Sequence, residues 1–163
     1  MADPLSVAAS IAGLLSAGAA IAKALGPYVS AARETPQVAF HVHSEVQAAA
    51  VVLSALRSLA QNMASVSRKR AAMIELEQVI VVLTDGVFIF SDLEAAIKTL
   101  PLPGSSSVTR MALRSRVQWA WKEIPLNSLL SRLQSFKSSI SLILGILQRQ
   151  DAVILLSTIP TTI

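Results

Sequence analysis

The sequence predicts an all-α fold: an up-and-down bundle of four long helices plus a short basic connecting helix. Three observations carry that expectation. Large apolar residues recur at alternating steps of three and four through long segments, the rhythm of a helix with one buried face. The pairs Asp3-Pro4 and Thr35-Pro36 each set a capping side chain before a proline, whose missing N–H is harmless in a first helical turn. Breakers are sparse, and the clearest cluster is Pro101-Leu102-Pro103-Gly104 followed by three serines, which reads as a loop.

The first helix starts at Pro4 and is expected to reach about Ala32, kinked or shortened by Gly26-Pro27. Its seam is Val7, Ile11, Leu14, Ile21, Leu25 and Tyr28, with Gly18 filling the gap. The second, from Pro36 to about Ser67, carries Val42, Val46, Ala49, Leu53, Leu56, Ala60 and Met63. A basic step, Arg68-Lys69-Arg70, leads into the third. There VIVVL-TDG-VFIF over residues 79–90 imitates two strands around an Asp-Gly turn. A hairpin with one wet face would alternate polar and apolar residues, and these runs do not. A stripe of Met73, Leu76, Ile80, Leu83, Val87, Phe90 and Ile97 passes through the supposed turn in helical register, so a helix containing Gly86 is expected, at about 1 kcal/mol for the glycine. After the loop, a short basic helix spans about Val108 to Glu123, ended or bent by Pro125. The last helix has the seam Leu126, Leu129, Leu133, Phe136, Ile140, Ile143 and Leu147. Helices of this length make a bundle about 40 Å long.

Composition removes several function classes. Charged residues form 15% of the 163 and apolar ones 53%, against about 25% charged in typical domains, so the chain has more oily surface than one core easily hides. There is no Cys, which removes disulfides, thiolate metal sites and cysteine catalysis, and a reducing, cytoplasmic setting fits. His41 and His43 lie two apart and point about 200° from each other on a helix, unable to share one metal from one face. Glu75 with Glu77, and Asp92 with Glu94, share that defect. Phosphate-loop, dinucleotide and nucleophile signatures are missing. No catalytic residue, metal site or cofactor is expected, and the chain reads as a non-enzyme.

Two features remain for recognition. From Pro4 to Ala22 the first helix has no charge, nearly the roughly 20 residues needed to cross a bilayer. A secretory signal is disfavoured because a basic n-region is missing and Asp3 is the sole charge before Lys23. Leu5, Val7, Ile11, Leu14, Leu15 and Ile21 are the membrane-insertion candidates, and Ala8, Ala12, Ser16 and Ala20 form a small-residue ridge that admits a close helix in water or lipid. Close packing inside a soluble bundle is the plainer use of that ridge. The second feature is charge asymmetry. Residues 1–94 hold six basic and eight acidic side chains, residues 95–150 eight basic and one acidic. Arg110, Arg114, Arg116 and Lys122 surround Trp119 and Trp121, a candidate surface for anionic lipid or an acidic partner. The alternative is a solvated face over packed tryptophans, and 4% aromatic content with no groove-reading motif argues against nucleic acid.

Three ordered segments, ADPLSVAASIAGLLS, RAAMIELEQVIVVLTDGVFIFSDLEAAI and RVQWAWKEIPLNSLLSRLQSFKSSISLILGILQ, resemble the fungal N-terminal domain found ahead of NACHT and other STAND ATPase modules and ankyrin repeats. That domain is named after the azaphilone pigment cluster protein L and grouped with HeLo-like domains; the resemblance covers residues 2–148. It implies a helical bundle serving as effector or signalling domain of fungal NLR-like receptors. Related HeLo domains, and the similar bundle of the mixed-lineage kinase-like pseudokinase, oligomerise and permeabilise membranes in programmed cell death and heterokaryon incompatibility. The family offers no catalytic residues; its hydrophobic N-terminal segment maps onto Leu5, Val7, Ile11, Leu14, Leu15 and Ile21. Family members usually continue toward the ATPase, whereas DAVILLSTIPTTI closes this chain. An isolated domain, a truncated chain and a stand-alone partner of a receptor all stay open.

The expected organisation is therefore a bundle over 1–150 and a short apolar tail over 151–163. Two functions of different class follow. In one, copies of the chain assemble, the first helix leaves the bundle for a membrane, and the basic half holds anionic headgroups. In the other, the bundle is a soluble adaptor that binds a helical partner domain, such as a STAND receptor, without touching lipid.

Overall fold

The computed structural model describes the backbone over residues 4–30, 37–65, 76–100 and 109–157, and side chains over 6–30, 37–61, 78–100 and 122–149. Four α-helices fill these stretches: α1 (Pro4–Ser30), α2 (Gln37–Ser65), α3 (Leu76–Lys98) and α4 (Thr109–Ser157). Among the described residues there is no strand, and 79–90 is continuous helix.

The seams of α1 and α2 are buried as their spacing predicts. Val7, Ile11, Leu14, Ile21, Leu25 and Tyr28 of α1 all lie in the core, as do Val42, Val46, Ala49, Leu53, Leu56 and Ala60 of α2. Met63 lies outside the described side chains. Leu126, Leu133, Phe136, Ile140 and Leu147 of α4 are buried, with Leu129 and Ile143 packed half-buried against them. No charged side chain is buried among those described, and apart from the Tyr28 hydroxyl this core is held by apolar contact.

Two expectations need correction. The stripe assigned to α3 is wrong at Ile80 and Val87, which are exposed; Val79, Leu83, Ile89, Phe90, Leu93 and Ile97 are the buried set. The run is apolar on every side, so periodicity could not fix its facing. The separate short basic helix is also absent: residues 109–157 form one helix of 49 residues with Pro125 inside it. Pro125 is exposed, so its ring sits on the solvent side of the helix, which runs through it unbroken. In the same way α1 passes through Pro27, and the described part of it runs to Ser30. The backbone of α4 continues over 151–157, residues the sequence assigns to a tail.

α1 packs on α2 and α3, and α4 packs on the same two; α1 and α4 face each other across one diagonal, α2 and α3 across the other. At their C-terminal ends the Tyr28 hydroxyl of α1 donates to the Leu100 carbonyl just beyond α3, 3.4 Å away. Ten residues earlier in each, Phe90 lies beside Gly18, so these two helices run parallel. The bundle is thus two helix pairs, α1–α2 and α3–α4, laid side by side, with α2 and α3 on a diagonal. The up-and-down direction holds, but consecutive helices are not neighbours all the way round.

Two glycines admit aromatic rings at the centre. A Cβ built on Gly86 would lie 2.6 Å from Phe136 Cε2 and 2.7 Å from Cζ, well inside carbon–carbon contact. A Cβ on Gly18 would lie 3.1 Å from Phe90 Cε1. Phe90 and Phe136 meet edge to face, centroids 6.2 Å apart at 77°, a favoured aromatic geometry. One ring pair therefore keys α1, α3 and α4 together, and glycine at both sites makes room for it.

Candidate functional site

The uncharged rod is α1 itself. Its insertion candidates Val7, Ile11, Leu14 and Ile21 are core residues, and Leu15 is half-buried. Leu5 is helical, with its side chain outside the described set. The groups suited to lipid are therefore those that hold the helix in the bundle. The ridge is a different matter. Ala8 and Ala12 are half-buried, but Ser16 and Ala20 are exposed, since a row of steps of four drifts about 40° per step around a helix of 3.6 residues per turn. Packing within the bundle therefore does not account for that half of the ridge.

By length and composition, α1 over Ser6–Ser30 and α2 over Gln37–Gln61 are both long and apolar enough to cross a membrane, and 28% of the α1 window is buried. A core helix of a soluble bundle meets the same criterion. In α1 the Ser10 hydroxyl donates to the Ser6 carbonyl at 3.0 Å, so this exposed hydroxyl carries its acceptor within its own helix.

Ion pairs join the other helices. Arg132 of α4 forks between Asp92 at 2.9 Å and Asp85 at 3.8 Å, both on α3. Lys137 of α4 pairs with Glu45 of α2, both largely covered. Glu94 and Lys98 pair within α3 at 2.7 Å. Among the described residues no ion pair reaches α1. Tyr28, at the core end of that helix, has its hydroxyl pKa raised by burial, which disfavours the phenolate.

Arg110, Arg114, Arg116, Trp119 and Trp121 lie on the N-terminal part of α4 with helical backbone, their side chains outside the described set; Lys122 is half-buried. Whether arginines and tryptophans form one patch is therefore a matter of helical register. His41 is exposed and His43 half-buried. Among the described residues no group of three or more His, Asp or Glu side chains comes together to hold a metal.

Sequence reasoning missed one surface. The outer side of α3 exposes Val81 (68%), Phe88 (61%), Val87 (50%) and Ile80 (36%). The signal was present in the run itself, because a helix apolar all round needs cover on both sides. No protein-family model, curated protein or solved structure matches this chain.

Proposed function

We propose that this chain is a non-enzymatic effector domain that self-associates and then commits α1 to an anionic membrane, in the manner its resemblance to fungal HeLo-like domains of STAND receptors implies. The observation that carries the reading is the attachment of α1. It is uncharged from Pro4 to Ala22, and the described ion pairs between helices join α4 to α3 and to α2, with none on α1.

Withdrawing the six large seam residues of α1 from the core would forfeit on the order of 9–18 kcal/mol at about 1.5–3 kcal/mol each. Lipid offers the same side chains an equivalent apolar surrounding, and the helical backbone brings its own hydrogen bonds. The partner faces on α2 and α3 would stay uncovered, so a lone copy gains nothing. Several copies change that balance, because the ridge of Ala8, Ala12, Ser16 and Ala20 packs helix on helix in lipid, while the basic stretch of Arg110, Arg114, Arg116 and Lys122 meets anionic headgroups. The protein would reside in the cytoplasm and be recruited to membrane on activation.

Dye release from anionic and neutral liposomes tests this. Ile11→Asp is a poor probe, since Ile11 is fully buried and the change attacks folding. Ser16→Asp and Ala20→Asp place a charge on the rod at exposed positions and leave the core intact. The native chain should release dye from anionic vesicles, and both variants should lose that activity while keeping their helicity. Equal release from all three proteins would refute the insertion of α1. The exposed face of α3 favours a second reading, a soluble adaptor for a helical partner. Under that reading the protein stays in the supernatant when liposomes are sedimented at low salt.

A further inference from the structure

The uncharged stretch of α1 stops at Ala22, and Gly26-Pro27 stands four and five positions further on. The helix runs through this pair while packed, but it is one rung short there. Pro27 has no N–H, so the bond to the Lys23 carbonyl cannot form. A Cβ on Gly26 would meet nothing within 4 Å, so packing does not require a glycine at this point, unlike at Gly18 and Gly86. What the pair brings is a weak place in the helix, since glycine and proline are the two poorest residues for a helix interior.

The two sides of the weak place are held differently. Beyond it, the Ser30 hydroxyl donates to the Pro27 carbonyl at 3.1 Å, and the buried Tyr28 hydroxyl donates to the Leu100 carbonyl at 3.4 Å. Before it, Val7, Ile11, Leu14, Ile21 and Leu25 hold by apolar contact, and none of the described ion pairs touches α1. Lipid can replace the apolar contacts of the first part. Hydrocarbon cannot replace the hydrogen bond of the second.

We infer that Gly26-Pro27 is a hinge on which the rod from Pro4 to Leu25 swings out of the bundle while Tyr28 stays fastened to Leu100. Hinges are often a few positions near the end of an element. At 1.5 Å per residue the freed rod is about 33 Å long, against about 30 Å of bilayer hydrocarbon. Lys23 is exposed and falls at the hinge end of the rod, where its long stem carries the ammonium to the interface. A break at Gly13, where a Cβ is equally unopposed, would leave too short a rod, and no proline adjoins it. Five of the six large seam residues then leave, and Tyr28 remains. The inference states how α1 is released in the proposed function and rests on that reading for its consequence at a membrane.

The chain has no Cys, so one thiol placed on the rod reports its opening. Val7→Cys is a small change at a buried position, and a thiol reagent reaches it only when the rod lifts or the whole chain unfolds. Gly26→Ala and Gly145→Ala, each added to Val7→Cys, tell these routes apart. Each places a methyl group with nothing within 4 Å, and each gains the same helix propensity, but only Gly26 lies at the hinge. Gly26→Ala should slow labelling about fivefold, the ratio set by glycine against alanine in a helix. Pro27→Ala should slow it at least as much, while Gly145→Ala and Tyr28→Phe should leave it unchanged. Equal slowing by Gly26→Ala and Gly145→Ala would mean global unfolding and overturn the hinge, as would no slowing by Gly26→Ala. Faster labelling in Tyr28→Phe would overturn the fixed end. Hydrogen exchange over residues 4–25 in the same backgrounds without the thiol repeats the comparison if Val7→Cys does not fold, because a freed helix is marginal in water and exchanges. Dye release from anionic vesicles by the native chain separates the two claims. Labelling that depends on Gly26, without release, upholds the hinge and refutes the membrane reading. Release with labelling indifferent to Gly26→Ala does the reverse.

Discussion

Adding one methyl group at Gly86 should be felt across three helices, and the comparison with Gly145 isolates the reason. Both glycines lie inside helices, α3 and α4, so replacing either with alanine gains up to about 1 kcal/mol of helix propensity. A Cβ on Gly145 meets nothing within 4 Å. Gly145→Ala should therefore stabilise the bundle by about 0.5–1 kcal/mol. On Gly86 the same carbon arrives 2.6 Å from Phe136 Cε2, roughly 1 Å inside contact distance. Phe136 is 2% exposed and braced edge-on by Phe90, which itself abuts Gly18, so the ring has little room to retreat. Overpacking of this kind costs about 1–3 kcal/mol. Propensity cancels between the two variants, and Gly86→Ala should fall below Gly145→Ala by about that amount. In a chain this long the gap is roughly 2–4 °C in Tm per kcal/mol. Thermal and urea melts followed at 222 nm read it directly. Phe136→Leu should recover part of the loss in the Gly86→Ala background, giving a positive coupling in a double-mutant cycle. Gly86→Ala at least as stable as Gly145→Ala would refute the ring-in-glycine packing.

Other predictions follow from single features. Pro125→Ala should stabilise the protein by up to about 3 kcal/mol, because an exposed proline interrupts one continuous helix; a neutral or destabilising result in a urea melt would mean that the proline is needed to set the direction of the chain. Tyr28 is the only tyrosine, so absorbance at 295 nm titrates it alone, and its midpoint should lie above 10.0, the ordinary value. The folded state then holds this proton more tightly than the unfolded one, so stability should fall as pH rises past about 10. Tyr28→Phe should flatten that fall, and an unshifted midpoint would contradict the burial. Arg132→Met removes two exposed pairs and should cost no more than about 1 kcal/mol, fading in salt. Lys137→Met leaves the largely covered Glu45 without its partner and should cost more, about 1.5–3 kcal/mol, with weaker salt dependence; equal costs would refute the contrast in burial.

The architecture was legible where the helices are one-sided. The seam of α1 was complete down to Gly18, recognised as a gap in a row of large residues, and Gly18 is the glycine that accepts Phe90. The same reasoning applied to α3 puts Gly86 in a row with Val79, Leu83, Phe90 and Leu93, all buried. Ile80 and Val87 hid that row, because they are as apolar as the residues facing the core. Pro125 misled for a different reason. Proline forbids a hydrogen bond but not a helix, and the sequence does not say whether the freed carbonyl points to solvent. The order of helices around the bundle was illegible, since nothing local tells α1 to lie beside α3 rather than α4. Of the functional candidates, the rod was readable from its missing charge. The outer face of α3 needed coordinates to separate it from the core.

The diagonal arrangement makes α1 a wedge. Because α2 and α3 face each other across it rather than touching along their length, lifting α1 away does not leave a three-helix barrel. It leaves an open trough, with α2 and α3 as walls and the apolar side of α4 as floor. Such a trough fits one shape best, the rod that has just vacated it, and any neighbouring molecule carries an identical rod. Under the proposed release of α1, departure and exchange would compete at every opening, and crowding would decide between a bundle that reseals on itself and a chain of molecules each plugged by the next.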